Sequence, residues 1–191
     1  MVDQLAAEYS DQNVVFLEYD VDSAPPNREG RWWAGYGGGS SVYLPLVMVD
    51  SGYLVSNGPE NFYNVYKVMV DASLQRPPAA RLEVERERVG DSLHYQVTIT
   101  NHSGGLLTTG NSATLHVLVY DDASTGVTDR QVVATNWVPI IGLADGDTQT
   151  LNVQVPVADA NWDQIRSVVL VDYKPAAAGG AFDTVQAVMG E

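Results

Sequence analysis

A proline sits inside residues 42–58, VYLPLVMVDSGYLVSNG, a stretch that otherwise reads as two buried strands joined by a turn. Proline gives no N–H to a sheet ladder and fixes its own φ, so a central strand accepts one only at its start, at a bulge, or where a cis bond re-aims the backbone. Pro45 is therefore read as the leader of the apolar run Leu46-Val47-Met48-Val49, with a cis Leu44–Pro45 bond expected. Asp50-Ser51-Gly52 carries hairpin chemistry, the glycine supplying positive φ before Tyr53-Leu54-Val55 returns.

Pro77-Pro78 divides the patterning of the 191 residues. Upstream, helical and strand periodicities mix. Residues 5–9 give a first apolar helical face, and Val14 to Tyr19 has the β-branched and aromatic content of a buried strand. A short helix over 27–36 carries Trp32 and Trp33. Phe62, Val65, Tyr66, Met69, Val70 and Leu74 then follow the rhythm of one buried helical face. Downstream, everything reads as short strands. Residues 81–89 and 92–100 form a hairpin about Gly90-Asp91, in which Leu93, Tyr95, Val97 and Ile99 alternate with His94, Gln96, Thr98 and Thr100. Further strands are predicted at 113–120, 130–138, 148–155, 165–173 and 182–189. Seven strands with regular turns point to an immunoglobulin-like or fibronectin-like sandwich.

The first part has a relative in pattern. DQLAAEY, VVFLEYDVD and LPLVMVDSG lie in the order and nearly the spacing of a thioredoxin-fold domain, which residues 3 to about 76 resemble from the middle of its first helix onward. In that family the proline opening the third core strand is cis and faces a Cys-x-x-Cys pair. This chain has no cysteine, so the resemblance implies a domain whose first strand and redox motif would precede Met1. A thioredoxin-like domain followed by a sandwich is also similar, as an architecture, to the bacterial outer-membrane lipoprotein family called Omp28-like. The fold class expected is thus α+β with two domains: a truncated thioredoxin-like α/β domain over 1–76, a linker over 77–80, and an all-β immunoglobulin-like sandwich over 81–191.

Charge narrows the partners. The formal net charge is −14, with no cluster of Lys and Arg, which disfavours nucleic acid and anionic membrane surfaces. No apolar run approaches the ~20 residues of a spanning helix. Absence of cysteine removes thiol catalysis, thiolate metal ligands and disulfides. Glu18, Asp20 and Asp22, and separately Asp121, Asp122 and Asp129, are read as solvated acidic ends and turns rather than Ca²⁺ ligands. His94, His102 and His116 lack a paired carboxylate or ligand spacing, with His94 and His116 taken as outward or edge residues. No cofactor and no metal is expected.

The remaining candidates are aromatic. Adjacent Trp32 and Trp33 cannot both face the core of a short helix; in the thioredoxin arrangement their segment and the loop before Pro45 border the surface of the redox motif, so the resemblance implies a peptide-binding rim with Trp32, Trp33, Tyr43, Leu44 and Pro45 as its candidates, burial being the preferred alternative for the tryptophans. Two functions remain open. One is a non-catalytic extracytoplasmic binding or scaffold module with a protein or peptide partner. The other is a fragment of an extracytoplasmic thiol-disulfide oxidoreductase. Loss of a strand from the first domain would leave a bare sheet edge, for which a homodimer or a covering segment of the sandwich is the expectation.

Overall fold

The computed structural model describes residues 2–19, 28–37, 43–58, 62–124, 129–158, 160–176 and 179–190. Helices α1 (Val2–Glu8), α2 (Glu29–Tyr36) and α3 (Phe62–Leu74) belong to the first part. Between α2 and α3 lies an antiparallel ribbon of β1 (Leu46–Val49) and β2 (Leu54–Asn57), Leu46 opposite Asn57 and Val49 opposite Leu54. The turn joining them is tight: Asp50, Ser51 and Gly52 all take positive φ. The Leu44–Pro45 peptide bond is cis.

All seven predicted strands of the second part are present: β3 (Ala80–Val89), β4 (Ser92–Asn101), β6 (Thr114–Ser124), β7 (Asp129–Pro139), β9 (Thr148–Pro156), β10 (Ile165–Tyr173) and β11 (Asp183–Met189). The short strands β5 (Leu107–Thr108) and β8 (Gly142–Leu143) pair with each other. Three strands in the order β3-β4-β9 face four in the order β11-β10-β6-β7. Period two explains the packing. Leu93, Tyr95, Val97 and Ile99 of β4 meet Leu115, Val117 and Val119 of β6 and Val169 and Val171 of β10 in one buried cluster. Thr98 and Thr100 point to solvent, where their hydroxyls pair with Thr150 and Thr148 of β9.

The second face of the four-stranded sheet is buried too. Leu118, Tyr120, Val132, Val168 and Leu170 form a separate cluster there, covered by Val15, Leu17 and Tyr19. This placement corrects the expected α+β, two-domain class with a thioredoxin-like α/β domain. The chain is mainly β, built of several antiparallel sheets with three α-helices among the described residues. Residues 14–19 do not join β1 and β2 in a sheet. Among the described residues their only ladder contact is the parallel bridge of Glu18 to Gln131, in which Glu18 N–H donates to the Arg130 carbonyl and Val132 N–H to the Glu18 carbonyl. The physical reason is the burial available to each face. Val15, Leu17 and Tyr19 gain the outer surface of the four-stranded sheet, while Val14 and Phe16 gain the helical cluster of Leu5, Tyr9, Tyr66, Met69 and Val70. Each of residues 14–19 nevertheless remains only half buried.

Glu18 and the contact of Asn136 with β9 protect the outer side of β7, as the Asn136 side chain donates to the Gln154 carbonyl. Ala79 and Asn13 donate to Val185 and Ala187 along β11. Among the described residues no helix is long and apolar enough to cross a membrane. Asp20, Asp22 and the loop residues Thr125 and Gly126 lie outside the described residues.

Candidate functional site: an uncharged aromatic face anchored by a buried aspartate

Between Trp32 and Pro59 the sequence has one charged residue, Asp50, although the chain carries −14 overall. Asp50 is engaged by Arg76 at 3.1 Å and by the Ser73 hydroxyl. Among its described residues, Trp33 and Tyr36 of α2 and Tyr43, Leu44 and Pro45 before β1 are uncharged and at least partly exposed. Trp33 meets Tyr36 edge-on, ring centroids 6.3 Å apart. Tyr36 Oη accepts a 2.9 Å hydrogen bond from the Asn57 amide, whose oxygen accepts the Tyr43 N–H at 2.8 Å. Asn57 thereby ties the aromatic side of α2 to the Tyr43-Leu44-Pro45 segment. Tyr43 is 72% exposed, Leu44 63% and Trp33 44%, unusual values for side chains of this size grouped together.

Of the five sequence candidates, four share this face: Trp33, Tyr43, Leu44 and Pro45. Trp32 turns the other way, its ring edge-on to Tyr19 at 4.9 Å. Adjacent helical positions diverge by about 100°, so the pair splits between the sheet and solvent.

What holds α2 in place was not foreseen. Asp172, wholly buried on β10, accepts four hydrogen bonds. Arg31 grips it with Nε to Oδ2 at 2.8 Å and Nη2 to Oδ1 at 3.1 Å; Arg28 Nη1 reaches Oδ2 at 2.8 Å. His116 Nε2, from β6, reaches Oδ1 at 3.1 Å. Every acceptor direction of the carboxylate is used. Arg28 and Arg31 lie three residues apart at the start of α2, so both reach the same point on the sheet. Arg28 also donates to Ser51 Oγ at 3.1 Å, and that hydroxyl pairs with Thr184 at 2.8 Å, joining the β1–β2 turn to β11.

The expectation that His116 is outward and unpaired is therefore corrected: its ring is buried against Asp172. Burial lowers its pKa to about 4, partly offset by Asp172 and reinforced by Arg28 and Arg31. The ring is neutral at pH 7, with Nε2–H donating, and among the described residues Nδ1 meets no partner. Burial also works against the Asp172 carboxylate, but the His116 hydrogen bond and the two guanidinium groups overcome it, holding the carboxyl well below the usual range. A sequence signal existed: an aspartate ending the apolar run Val168 to Val171 marks a buried, paired charge.

Gly35 lets α2 sit this close. A Cβ there would lie 2.9 Å from the Gly52 Cα, a backbone atom that cannot swing aside. Alanine normally stabilises a helix over glycine by ~1 kcal/mol. Here Gly35→Ala is expected to lower stability by ~1–3 kcal/mol through overpacking, read as a reduced urea midpoint.

No family model matches this chain. Among curated proteins none matches either. A crystal structure of an Agrobacterium tumefaciens protein is similar over 97% of this chain and 83% of its own, at 17% identity and a TM-score of 0.53. That likeness concerns fold alone, and it extends over both the helical part and the sandwich. A penta-heme cytochrome c552 from Thermochromatium tepidum aligns with 61% of this chain and 40% of its own at 12% identity, and its TM-score of 0.33 carries no argument.

Proposed function

We propose that the chain is a non-catalytic binding module that docks a protein or peptide partner on the face formed by Trp33, Tyr36, Tyr43, Leu44 and Pro45. The observation that carries this reading is a charge-free, aromatic, exposed surface on an otherwise strongly acidic chain. Interface centres are depleted in charge and enriched in tyrosine and tryptophan, which supply large contact area at little cost in side-chain entropy. Asn57 and the Asp172 cluster fix that surface to the sandwich, so little ordering remains to oppose binding.

The Asp172–His116 pair supports a binding role over a catalytic one. Arg28 and Arg31 close over it, and both Asp172 and His116 are inaccessible. A general base must reach the proton it removes.

The test is a photo-crosslinking side chain placed at Tyr43 in the native host, with the same probe at Ile141, a comparably exposed apolar site on the sandwich. A discrete adduct from position 43, lost when Leu44→Ser is added and absent from position 141, is expected. Equal labelling from both positions would contradict the proposal.

A further inference from the structure

The docking face continues into a sheet edge that no described residue pairs with. Among the described residues β1 pairs only with β2. Gly58 N–H donates to the Pro45 carbonyl, and this fixes the phase of the ladder. Pro45, Val47 and Val49 direct their backbone groups toward β2; Leu46 and Met48 direct theirs outward. Among the described residues no hydrogen bond meets the outward groups of Leu46 and Met48.

Strand β3, also an edge, is guarded by Glu83, Glu85, Arg86, Glu87 and Arg88, and β9, an edge without charge, receives the Asn136 amide at its Gln154 carbonyl. The outer sides of β7 and β11 receive Glu18, Ala79 and Asn13. Folded chains blunt edges with charge, proline or a covering segment, because bare ladders recruit strands. Leu46-Val47-Met48-Val49 carries no charge, and its one proline stands before the strand. All four residues of β1 are only half buried. Val47 and Val49 face the helical cluster, where Val14, Phe16 and Leu54 are likewise half covered. A strand-shaped partner would complete both the ladder and this cluster.

We infer that the β1 edge takes up an extended, uncharged segment of the partner, with Val, Ile or Leu at alternate positions, as a third strand. This rests on the docking face proposed above and names the form in which the partner arrives. Main-chain hydrogen bonds to Leu46 and Met48 supply affinity, and the half-covered cluster selects apolar alternate side chains. An uncharged occupant matches an edge with no charge to satisfy, so its affinity is insensitive to salt.

The probe is an acetylated and amidated Val-Thr-Val-Thr-Val-Thr peptide titrated into the full chain, with amide hydrogen exchange read at Leu46 and Met48. Binding is expected to slow exchange at those two amides about tenfold or more, and N-methylating the probe at the bonds facing β1 is expected to weaken it about tenfold. Met48→Pro removes an outward N–H and should abolish binding, whereas Val55→Pro, on the outer side of β2, should leave it intact. The N-methylated probe keeps the test valid if either proline variant unfolds. No binding of the parent peptide, or binding unaffected by N-methylation, would overturn strand addition. Loss in Tyr43→Ser with Leu44→Ser, combined with indifference to N-methylation, would overturn it while sparing the docking face. A dimer by light scattering without probe, with Leu46 and Met48 already protected, would overturn it in favour of self-pairing.

Discussion

Asp172→Asn is expected to destabilise the chain by about 3–5 kcal/mol, the cost of leaving buried charges without their partner. Asparagine keeps the shape of the side chain, so the effect reads charge and hydrogen bonding rather than volume. Arg28 and Arg31 would then share a buried site with no anion, and an amide can replace only part of a four-bond acceptor. The loss should fall first on the attachment of α2. Exchange at α2 amides and Trp32 fluorescence should therefore respond before the sandwich does, since Trp32 packs on Tyr19 at the sheet. The triple variant Arg28→Met, Arg31→Met, Asp172→Leu is expected to recover much of the loss, because removing all three charges leaves none uncompensated. Chemical denaturation of the three proteins checks both statements.

Stability is also expected to fall as pH drops from about 6.5 toward 4, because of His116. Its pKa in the folded chain is lowered to about 4 from an unfolded value of 6.5. Between those values the unfolded chain binds the proton and the folded chain refuses it, so stability rises with pH across this window and is lost going down. The full difference is roughly 3 kcal/mol. Asp172 acts in the other range: its carboxyl is held below its ordinary value, so its contribution remains throughout this window and fades only in stronger acid. His116→Gln keeps a donor toward Asp172 and removes the titration. Urea midpoints measured from pH 7 to 4.5 should therefore fall more steeply in the parent than in His116→Gln. Parallel curves would refute the assignment.

Local patterning carried the sandwich. In β4 the alternation of Leu93, Tyr95, Val97 and Ile99 with polar residues states which face is dry, and Gly90 supplies the turn. The β1–β2 hairpin was readable for the same reason, from Pro45 at its start and Gly52 in its turn. What failed were inferences that needed knowledge of a second layer. Alternation in β6 places His116 opposite Leu115 and Val117, but it says nothing of whether that face meets water or protein. It meets residues 15–19 and α2. Val14 to Tyr19 has the composition of a central strand because both its faces pack on apolar clusters, yet side-chain packing does not reveal the hydrogen-bonding neighbour. The Arg28–Asp172 pair spans 144 residues, and no local period encodes it. Tyr43 and Leu44 are candidates because they precede Pro45 in the thioredoxin-like pattern; their union with Trp33 depends on Asn57, which the sequence does not mark.

The central claim is that the uncharged face on α2 and β1 is where a partner docks. Its most direct test is the affinity, by titration calorimetry, of the purified partner captured at position 43 for three proteins: the parent, Tyr43→Ser with Leu44→Ser, and Ile141→Ser. Truncating two exposed anchors at the centre of an interface should weaken binding at least about tenfold, while Ile141→Ser should bind as the parent does. Equal affinity of the parent and the double variant would contradict the account.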